Sequence, residues 1–477
     1  MTTSPPSTVR QHSILAMAMP LVVSFWMRAA FTFVDTIFAA TLGDASVAAI
    51  GLAIPLEFLM VAFWVGLSNS LTSNLSRAMG AGEGARIEQL LATTWKLVLR
   101  VLVPFFLAVA AAVWFAGPRL GLDPEVGRQF AIYGAVTLAG SALTSFWSIL
   151  PDSIVKAHHD TRSTMWAGIW SNVINVVLNV IFTFVFHWGI FGIAFSTVVG
   201  RFGGLVYALR QSRRHESARK ARGTDLSPRL DARPWRALLV LALPSGGAYA
   251  LMAMESSLVN VVLATTREAT SAIAAYSIYY RVMMTSLMPV IAASVAVLPF
   301  TARFYGQGDL LTVRRGFREV VLASVGYVVL LVTPVTWFFG PAIAAALAEE
   351  AQTARFATFA LRATPLACIV SVPFFLCRPT FEGLQRGRPG FIMAGLRYGI
   401  LAAPFAFGGA RLAERLGGSG FHGMLLGLIA ATGLVSAIFF VWMQATLRGL
   451  GTSPGHEIPP GDLPPAGLPP QAQPGPA

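Results

Sequence analysis

The chain has 477 residues, of which 55% are hydrophobic and only 12% are charged, and its mean hydropathy is +0.64. In soluble domains about a quarter of all residues are charged, so this composition excludes an ordinary soluble fold and indicates an integral membrane protein. The formal net charge is +13. The two cysteines, Cys368 and Cys377, fall in one apolar run and predict neither a disulfide nor a metal site.

Twelve apolar runs follow one another along the chain, each long enough to cross about 30 Å of hydrocarbon as a helix. The first six are Ile14–Ala40, Val47–Leu75, Leu90–Ala116, Phe130–Val155, Ser163–Phe186 and Gly189–Leu209. The last six are Arg236–Ala264, Ser271–Thr301, Phe317–Gly340, Thr353–Phe381, Phe391–Ala413 and Phe421–Leu447. These runs do not alternate in polarity, and a membrane span must pair its own backbone groups, so the chain is predicted to be an all-α integral membrane protein.

Lys and Arg are concentrated in every second loop, most heavily in "RQSRRHESARKAR" (residues 210–222). Loops rich in Lys and Arg remain in the cytoplasm. This bias predicts a multi-pass protein of the inner (plasma) membrane with both termini in the cytoplasm. It also accounts for the positive charge through topology, so no nucleic-acid partner is expected.

Two halves of the chain repeat each other. The pattern R-x-x-G-x-G-acid follows the second run, in "SRAMGAGE" (76–83), and the eighth run, in "ARFYGQGD" (302–309). With six runs in each half, this predicts two six-helix lobes related by a pseudo-two-fold axis along the membrane normal. The predicted parts are a cytoplasmic N-terminus (1–13), an N-lobe (14–210), a basic cytoplasmic linker (211–235), a C-lobe (236–448) and a disordered Pro-rich cytoplasmic tail (449–477).

Three carboxylates, Asp35, Glu57 and Glu255, lie well inside predicted membrane helices. A charged side chain at such a depth costs about 2.5–3.5 kcal/mol on insertion scales, so each is expected to face a polar cavity or a partner. Arg28 lies two turns before Asp35 on the same helix face, and Glu57 is expected against Arg281 or another buried base. Glu382, by contrast, is expected at a helix end, where it is solvated or in an ion pair.

The fifth run carries a polar stripe, because Asn172, Asn175 and Asn179 share one face of an otherwise aliphatic helix. Together with Asp35, this stripe fits two kinds of site. One is an oxygen-rich pocket for a small cation, and the other is a desolvated acid with a raised proton affinity. The alternative is that the asparagines only hydrogen-bond neighbouring helices.

No motif predicts an enzyme. The histidines form no H-x-x-x-H pair, no nucleotide-binding fingerprint is present, and the glycines of "GAGEG" (80–84) precede no phosphate-binding lysine. No metal site and no cofactor are therefore expected, and ATP is not the expected energy source.

The order and spacing of several segments resemble the multidrug and toxin extrusion (MATE) family of secondary transporters. These segments are "VDTIFAATLGDASVAAIGLAIP" (34–55), "SRAMGAGEG" (76–84), "NVVLNVIF" (175–182), "GIAFSTVVG" (192–200) and "AIAAYSIYYRV" (272–282). The resemblance implies an antiporter that exports amphipathic, often cationic compounds while Na⁺ or H⁺ runs inward. It also implies an ion-coupling site at Asp35, Asn175, Asn179 and Thr197.

The resemblance further implies that Glu255 contributes to a substrate site or a second cation site, and Glu57 is a second candidate for that role. The chain departs from the family in two places. Asn179 stands where some proton-linked members have an aspartate, and the stretch Cys368–Phe381 lacks the aspartate that another branch has in the tenth helix. The choice between H⁺ and Na⁺ as coupling ion therefore stays open.

The predicted function is cation-coupled export of amphipathic small molecules or drugs by alternating access, by a protein that acts as a monomer in the lipid bilayer. The alternative is a flippase for a lipid-linked saccharide or another amphipathic metabolite. Such a flippase needs basic side chains that converge on a pyrophosphate. The candidates for that role are Arg28, Arg201, Arg281, Arg362 and Arg397.

Overall fold

The computed structural model describes residues 14–121, 123–223, 230–266 and 268–450, and within them every side chain except those of 28–36, 253, 256 and 257. The N-terminal helices are α1 (Ile14–Leu42), α2 (Asp44–Ala81), α3 (Gly84–Arg119), α4 (Pro124–Ala157), α5 (Thr161–Val185) and α6 (Gly189–Arg222). The C-terminal helices are α7 (Pro234–Leu263), α8 (Ala269–Gly306), α9 (Leu310–Leu347), α10 (Ala351–Gly383), α11 (Gly387–Arg415) and α12 (Gly420–Gly449).

Eleven of these helices are long and apolar enough, in their described residues, to cross a membrane. The remaining helix, α1, has 29 residues, and its described side chains from Ile14 to Met27 form an apolar helical stretch. The prediction of an all-α membrane protein with twelve helices is confirmed. The predicted N-terminus (1–13) and nearly all of the predicted tail (449–477) lie outside the described residues.

The helices run beyond the apolar runs that predicted them. Helix α6 continues to Arg222, so the first part of the predicted linker is helical. Its charged residues are good helix formers, and they are paired: Arg219 contacts Glu216 at 2.9 Å and Lys220 contacts Glu88 at 2.8 Å. Hydropathy detects only the apolar part of a helix, so the predicted end of this helix lies before its observed end.

Four of the helices contain a short π-helical segment. These segments are Val98–Leu102 in α3, Ile181–Val185 in α5, Val328–Val332 in α9 and Gly395–Leu401 in α11. They therefore fall in the third and the fifth helix of each half. Since π-helical turns are rare, their recurrence at equivalent helices is independent structural support for the duplication.

The buried core divides between the lobes, but the first helix of each half crosses over. Phe106 and Phe146 belong to a cluster formed largely by α2, α3, α4 and α6, and that cluster also takes in Leu238 from α7. In the same way, Ile14 and Leu21 of α1 lie in a cluster of C-terminal helices. The two lobes are thus interlocked through α1 and α7.

The lobes meet closely at one end of the bundle, which we call the basic end. It carries the turns between α2 and α3, between α4 and α5, and between α8 and α9, and the other end is called the opposite end. A Cβ atom on Gly80 would collide with the carbonyl oxygen of Arg303, and one on Gly306 would collide with that of Arg77. The two copies of the repeated R-x-x-G pattern thus pack against each other reciprocally, with no room for a side chain.

The turn before α5 is held by Asp160, which caps this helix. Its carboxylate accepts hydrogen bonds from the backbone N–H of Ser163 at 3.1 Å and from Nε2 of His215 at 2.9 Å. Burial raises the pKa of Asp160, but the hydrogen bonds from His215 and Ser163 outweigh it and lower this pKa to about 2. The ionised carboxylate therefore stabilises the folded state, and it joins α5 to α6.

Replacement of Asp160 by alanine should lower the free energy of unfolding by about 1–2 kcal/mol at neutral pH, through loss of the cap and of a charged hydrogen bond. Asn is an equally good cap, so Asp160→Asn isolates the charge. Because the folded pKa is lowered, the contribution of the charge is present above pH 4 and disappears as the pH falls towards 2. Unfolding of the detergent-solubilised protein across this pH range measures it. The assignment would be contradicted if the difference in the free energy of unfolding between wild type and Asp160→Asn did not change with pH.

Candidate functional site

The polar stripe of α5 faces α6 inside the N-lobe. The amide of Asn175 donates to Oγ of Ser196 at 3.3 Å and to Oγ1 of Thr197 at 3.1 Å. Ser196 Oγ lies 2.5 Å from Oδ1 of Asn179 and 2.8 Å from the carbonyl oxygen of Ile193, and its single proton serves one of these two acceptors. The structure thus brings together Asn175, Asn179 and Thr197, and their role in ion coupling stays a prediction.

Ser196 is the member of this cluster that sequence reasoning missed. It is fully buried and lies within hydrogen-bond distance of both asparagines, whereas Thr197 accepts from Asn175 and donates to the carbonyl oxygen of Ile193. The signal was a Ser-Thr pair in "GIAFSTVVG" (192–200), but hydropathy does not tell which of two neighbouring hydroxyls points towards α5.

Asp35 lies in α1, and its side chain is outside the described residues. Two contacts fix how α1 runs along α5. Oγ of Ser24 lies beside Gly168, and the rings of Phe38 and Phe184 are 5.7 Å apart. Both helices run in the same direction, so residue 35 of α1 falls at the depth of Asn179 in α5. The backbone therefore places the predicted acid level with the polar cluster.

The cluster between α5 and α6 contains amides and hydroxyls but no charge. Another hydroxyl, that of Thr183, is buried one turn after Asn179 and has no hydrogen-bond partner among the described side chains. Amide and hydroxyl oxygens are hard ligands that suit a small cation. Among the described residues, no group of three or more His, Cys, Asp or Glu side chains forms a metal site. A cation at this cluster would thus need the charge of Asp35.

Glu57 remains within the N-lobe. Its Oε1 lies 3.5 Å from the hydroxyl of Tyr133 on α4. Arg281, the suggested partner, is exposed on α8 and makes no ion pair with Glu57 among the described contacts. The suggestion of a Glu57–Arg281 pair is therefore wrong, because the two side chains belong to different lobes.

Glu255 lines a small chamber inside the C-lobe. The chamber lies among α7, α8, α10, α11 and α12 and has a volume of about 30 Å³. Its polar lining comprises Glu255, Tyr276, Tyr279, Ser371, Arg397 and Thr432. An acid and a guanidinium thus line one small space, and no sequence motif linked them, since Glu255 and Arg397 are far apart along the chain.

The basic residues that a flippase would need do not converge. Arg201 donates to Oγ of Ser141 within the N-lobe, and Arg397 is buried within the C-lobe. Arg362 is exposed and lies over the ring of Trp337. The side chain of Arg28 lies outside the described residues. The described candidates therefore form no common site for a pyrophosphate.

Glu382 is more deeply placed than the sequence suggested. It is only 2% exposed, and its carboxylate lies 3.5 Å from Nε of Arg378. Asn69 of α2 donates to it at 3.4 Å, while Ser73 of α2 donates to its backbone carbonyl at 2.7 Å. The expectation of an ion pair is met, but the solvated alternative is wrong. The helix end that carries Glu382 is covered by the other lobe at the basic end.

Comparison with known proteins supports the same fold. The MatE family profile matches residues 20–181 and 244–408. A probable multidrug resistance protein NorM from Burkholderia pseudomallei (strain K96243) is 30% identical over 138 residues, which are 28% of this chain and 29% of that protein.

Two solved structures align with nearly the whole chain. A MOP superfamily transporter from Pyrococcus furiosus, described as having a binding pocket of reverse polarity, has a TM-score of 0.81 at 19% identity, covering 95% of this chain and 100% of that one. A multidrug resistance MATE family transporter in an outward-facing conformation has a TM-score of 0.82 at 19% identity with the same coverage. Because the profile covers more than half of the chain, in both lobes, this protein belongs to the MatE family.

Proposed function

We propose that this protein exports amphipathic small molecules, among them organic cations, by alternating access coupled to an inward flow of H⁺ or Na⁺. The observation that carries the proposal is the uneven burial along two equivalent helices. Towards the opposite end, α2 exposes large apolar side chains such as Leu52, Phe58 and Phe63, whereas Leu67, Leu71 and Leu75 near the basic end are buried. In α8, no residue of the stretch 287–302 near the basic end is exposed.

This pattern suits a transporter closed at the basic end and open at the opposite end. The closed end is held by hydrogen bonds from α2 to the C-lobe: Asn69 to Ser245 at 3.0 Å, and Ser70 to the carbonyl of Leu238 at 2.6 Å. If the basic end is cytoplasmic, as the distribution of Lys and Arg favours, this is the state that releases substrate to the outside. Both termini are then cytoplasmic in a multi-pass protein of the plasma membrane.

For coupling, we propose the cluster of Asn175, Asn179, Ser196 and Thr197 together with Asp35. Binding of a cation or a proton at Asp35 would change how α1 packs on α5, and α1 also packs into the C-lobe through Ile14 and Leu21. Ion binding inside one lobe can in this way bias the contact between the lobes. One charge that moves through about 150 mV supplies about 3.5 kcal/mol, enough for a concentration ratio of roughly 300-fold.

Glu57 and Glu255 stay candidates for a substrate site or a second cation site. The hydroxyl of Tyr133 beside Glu57 is compatible with a substrate-facing acid. A metal cation at Glu255 is less well supported, because the guanidinium of Arg397 lines the same chamber and repels other cations. The flippase alternative has no specific observation in its favour.

The test is transport in everted membrane vesicles that contain the full chain. A fluorescent organic cation should accumulate when a Na⁺ gradient or a H⁺ gradient is imposed separately, and accumulation should stop when the ionophore for the effective ion is added. Vesicles without the protein are the control. Absence of accumulation under both gradients, with folded protein present in the membrane, would refute the proposal.

A further inference from the structure

The chamber in the C-lobe contains a cation whose hydrogen-bond donors have no acceptor. Arg397 is only 6% exposed, and its Nε and Nη1 atoms are buried without a hydrogen-bond partner in the part of the chain that the structure describes. A guanidinium carries five N–H donors in one plane. Leaving such donors unpaired in a buried position is costly, so their presence calls for a partner that completes the site.

Two aromatic side chains pack against Arg397. Its guanidinium carbon lies 4.6 Å from the ring centroid of Phe374 and 4.6 Å from that of Tyr398. Cation–π contacts of this kind stabilise the positive charge. They supply no strong hydrogen-bond acceptor, so the Nε and Nη1 donors stay unpaired in the part of the chain that the structure describes.

Glu255 balances the charge of Arg397 without satisfying these donors. Both side chains line the chamber, yet they form no ion pair within contact distance among the described residues. Tyr276, Tyr279 and Thr432 add hydroxyl groups to the lining, while the hydroxyl of Ser371 already donates to the carbonyl of Ala367 at 2.7 Å. Unpaired N–H groups and hydroxyls therefore converge on one small space.

The backbone around Arg397 departs from a regular α-helix. Arg397 lies in the π-helical segment Gly395–Leu401 of α11, the equivalent of the segment that follows the asparagine stripe in α5. Such wide turns shift a side chain relative to a regular helix and are frequent at functional sites. The two lobes differ here, because Arg397 lies within the π-helical segment of α11, whereas the asparagines precede the segment of α5.

We propose that this chamber binds a small inorganic anion of the size of chloride on the in-plane N–H groups of Arg397. The volume of about 30 Å³ admits roughly two water molecules or one halide ion, and it excludes larger organic anions such as gluconate. The hydroxyls of Tyr276, Tyr279 and Thr432 complete the coordination. When it is ionised, the carboxylate of Glu255 opposes the anion, because both compete for the same guanidinium.

The experiment uses the purified full chain in detergent with sodium gluconate replaced stepwise by sodium chloride or sodium bromide at constant ionic strength. The thermal unfolding midpoint should rise saturably with halide in the wild type. Arg397→Gln should abolish the rise, whereas Arg362→Gln, which removes an exposed arginine of α10, should leave it unchanged. Glu255→Gln should lower the half-saturating halide concentration at least tenfold, because it removes the carboxylate that competes with the halide for Arg397.

Anomalous scattering from wild-type crystals grown in bromide locates the ion independently of the variants. A bromide peak beside Arg397 supports the proposal even if Arg397→Gln fails to fold. Stability that is independent of halide, an equal response in Arg397→Gln, or bromide crystals without a peak in the chamber would overturn it and leave a chamber filled by water alone.

Discussion

Replacement of Gly306 by leucine should abolish transport and shift the protein away from the state that is closed at the basic end. A side chain at this position would collide with the backbone carbonyl of Arg77, which cannot rotate away as a flexible side chain can. Overpacking of this kind costs about 1–3 kcal/mol or more, so the population of the closed state should fall by about fivefold to a hundredfold or more relative to the open state. Because the cycle needs both states, dye accumulation should fall at least as much.

The reciprocal packing supplies a second variant and a control. Gly80→Leu should have the same effect as Gly306→Leu, since its side chain would collide with the carbonyl of Arg303. Gly326→Leu, in a helix position with open space around it, should transport normally. Wild-type transport in Gly306→Leu or Gly80→Leu would show that close contact at the basic end is not part of the cycle.

Asp35→Asn should uncouple transport from the ion gradient. Asparagine has almost the shape of aspartate but can neither carry a charge nor exchange a proton at neutral pH. In the wild type, one charge moving through about 150 mV can drive a dye concentration ratio of up to roughly 300-fold between the inside and the outside of the vesicles. In Asp35→Asn this ratio should fall to that of vesicles without the protein. Binding of the dye to the purified variant should persist, because the predicted site for the ion lies within the N-lobe and not between the lobes.

The matched control for Asp35→Asn is Asp44→Asn, which makes the same chemical change at an exposed position in the first turn of α2. It should leave the gradient response intact. The proposed role of Asp35 would have to be abandoned if the Asp35→Asn variant retained a normal response to both Na⁺ and H⁺ gradients.

The number and order of the helices could be predicted because hydropathy is a local property, and a run of about 20 apolar residues can span a bilayer only as a helix. The duplication was visible because "SRAMGAGE" and "ARFYGQGD" retain the same pattern. What the pattern did not reveal is that Arg77 and Gly80 pack against Gly306 and Arg303. Such contacts depend on how two distant helices meet, which local composition does not encode.

The candidate site was predictable in part. The asparagine stripe of α5 follows from helical periodicity, so Asn175 and Asn179 could be placed on one face, and the structure adds that Ser196 lies within hydrogen-bond distance of both. Burial of Glu382 and Arg397 was not predictable. One lies near a helix end and the other beside polar and glycine residues, and both are buried only because another helix covers them.

Distances between spin labels across the two ends of the bundle test the central claim most directly. One pair joins exposed residues of the two lobes at the basic end, Arg213 and Leu311, and the other joins Leu120 and Leu347 at the opposite end. Both native cysteines are buried and should label poorly. When saturating coupling ion is replaced by saturating substrate, the distance at one end of the bundle should lengthen while the distance at the other end shortens. Distances that stay fixed at both ends under every condition, in protein that still transports, would contradict alternating access between these lobes.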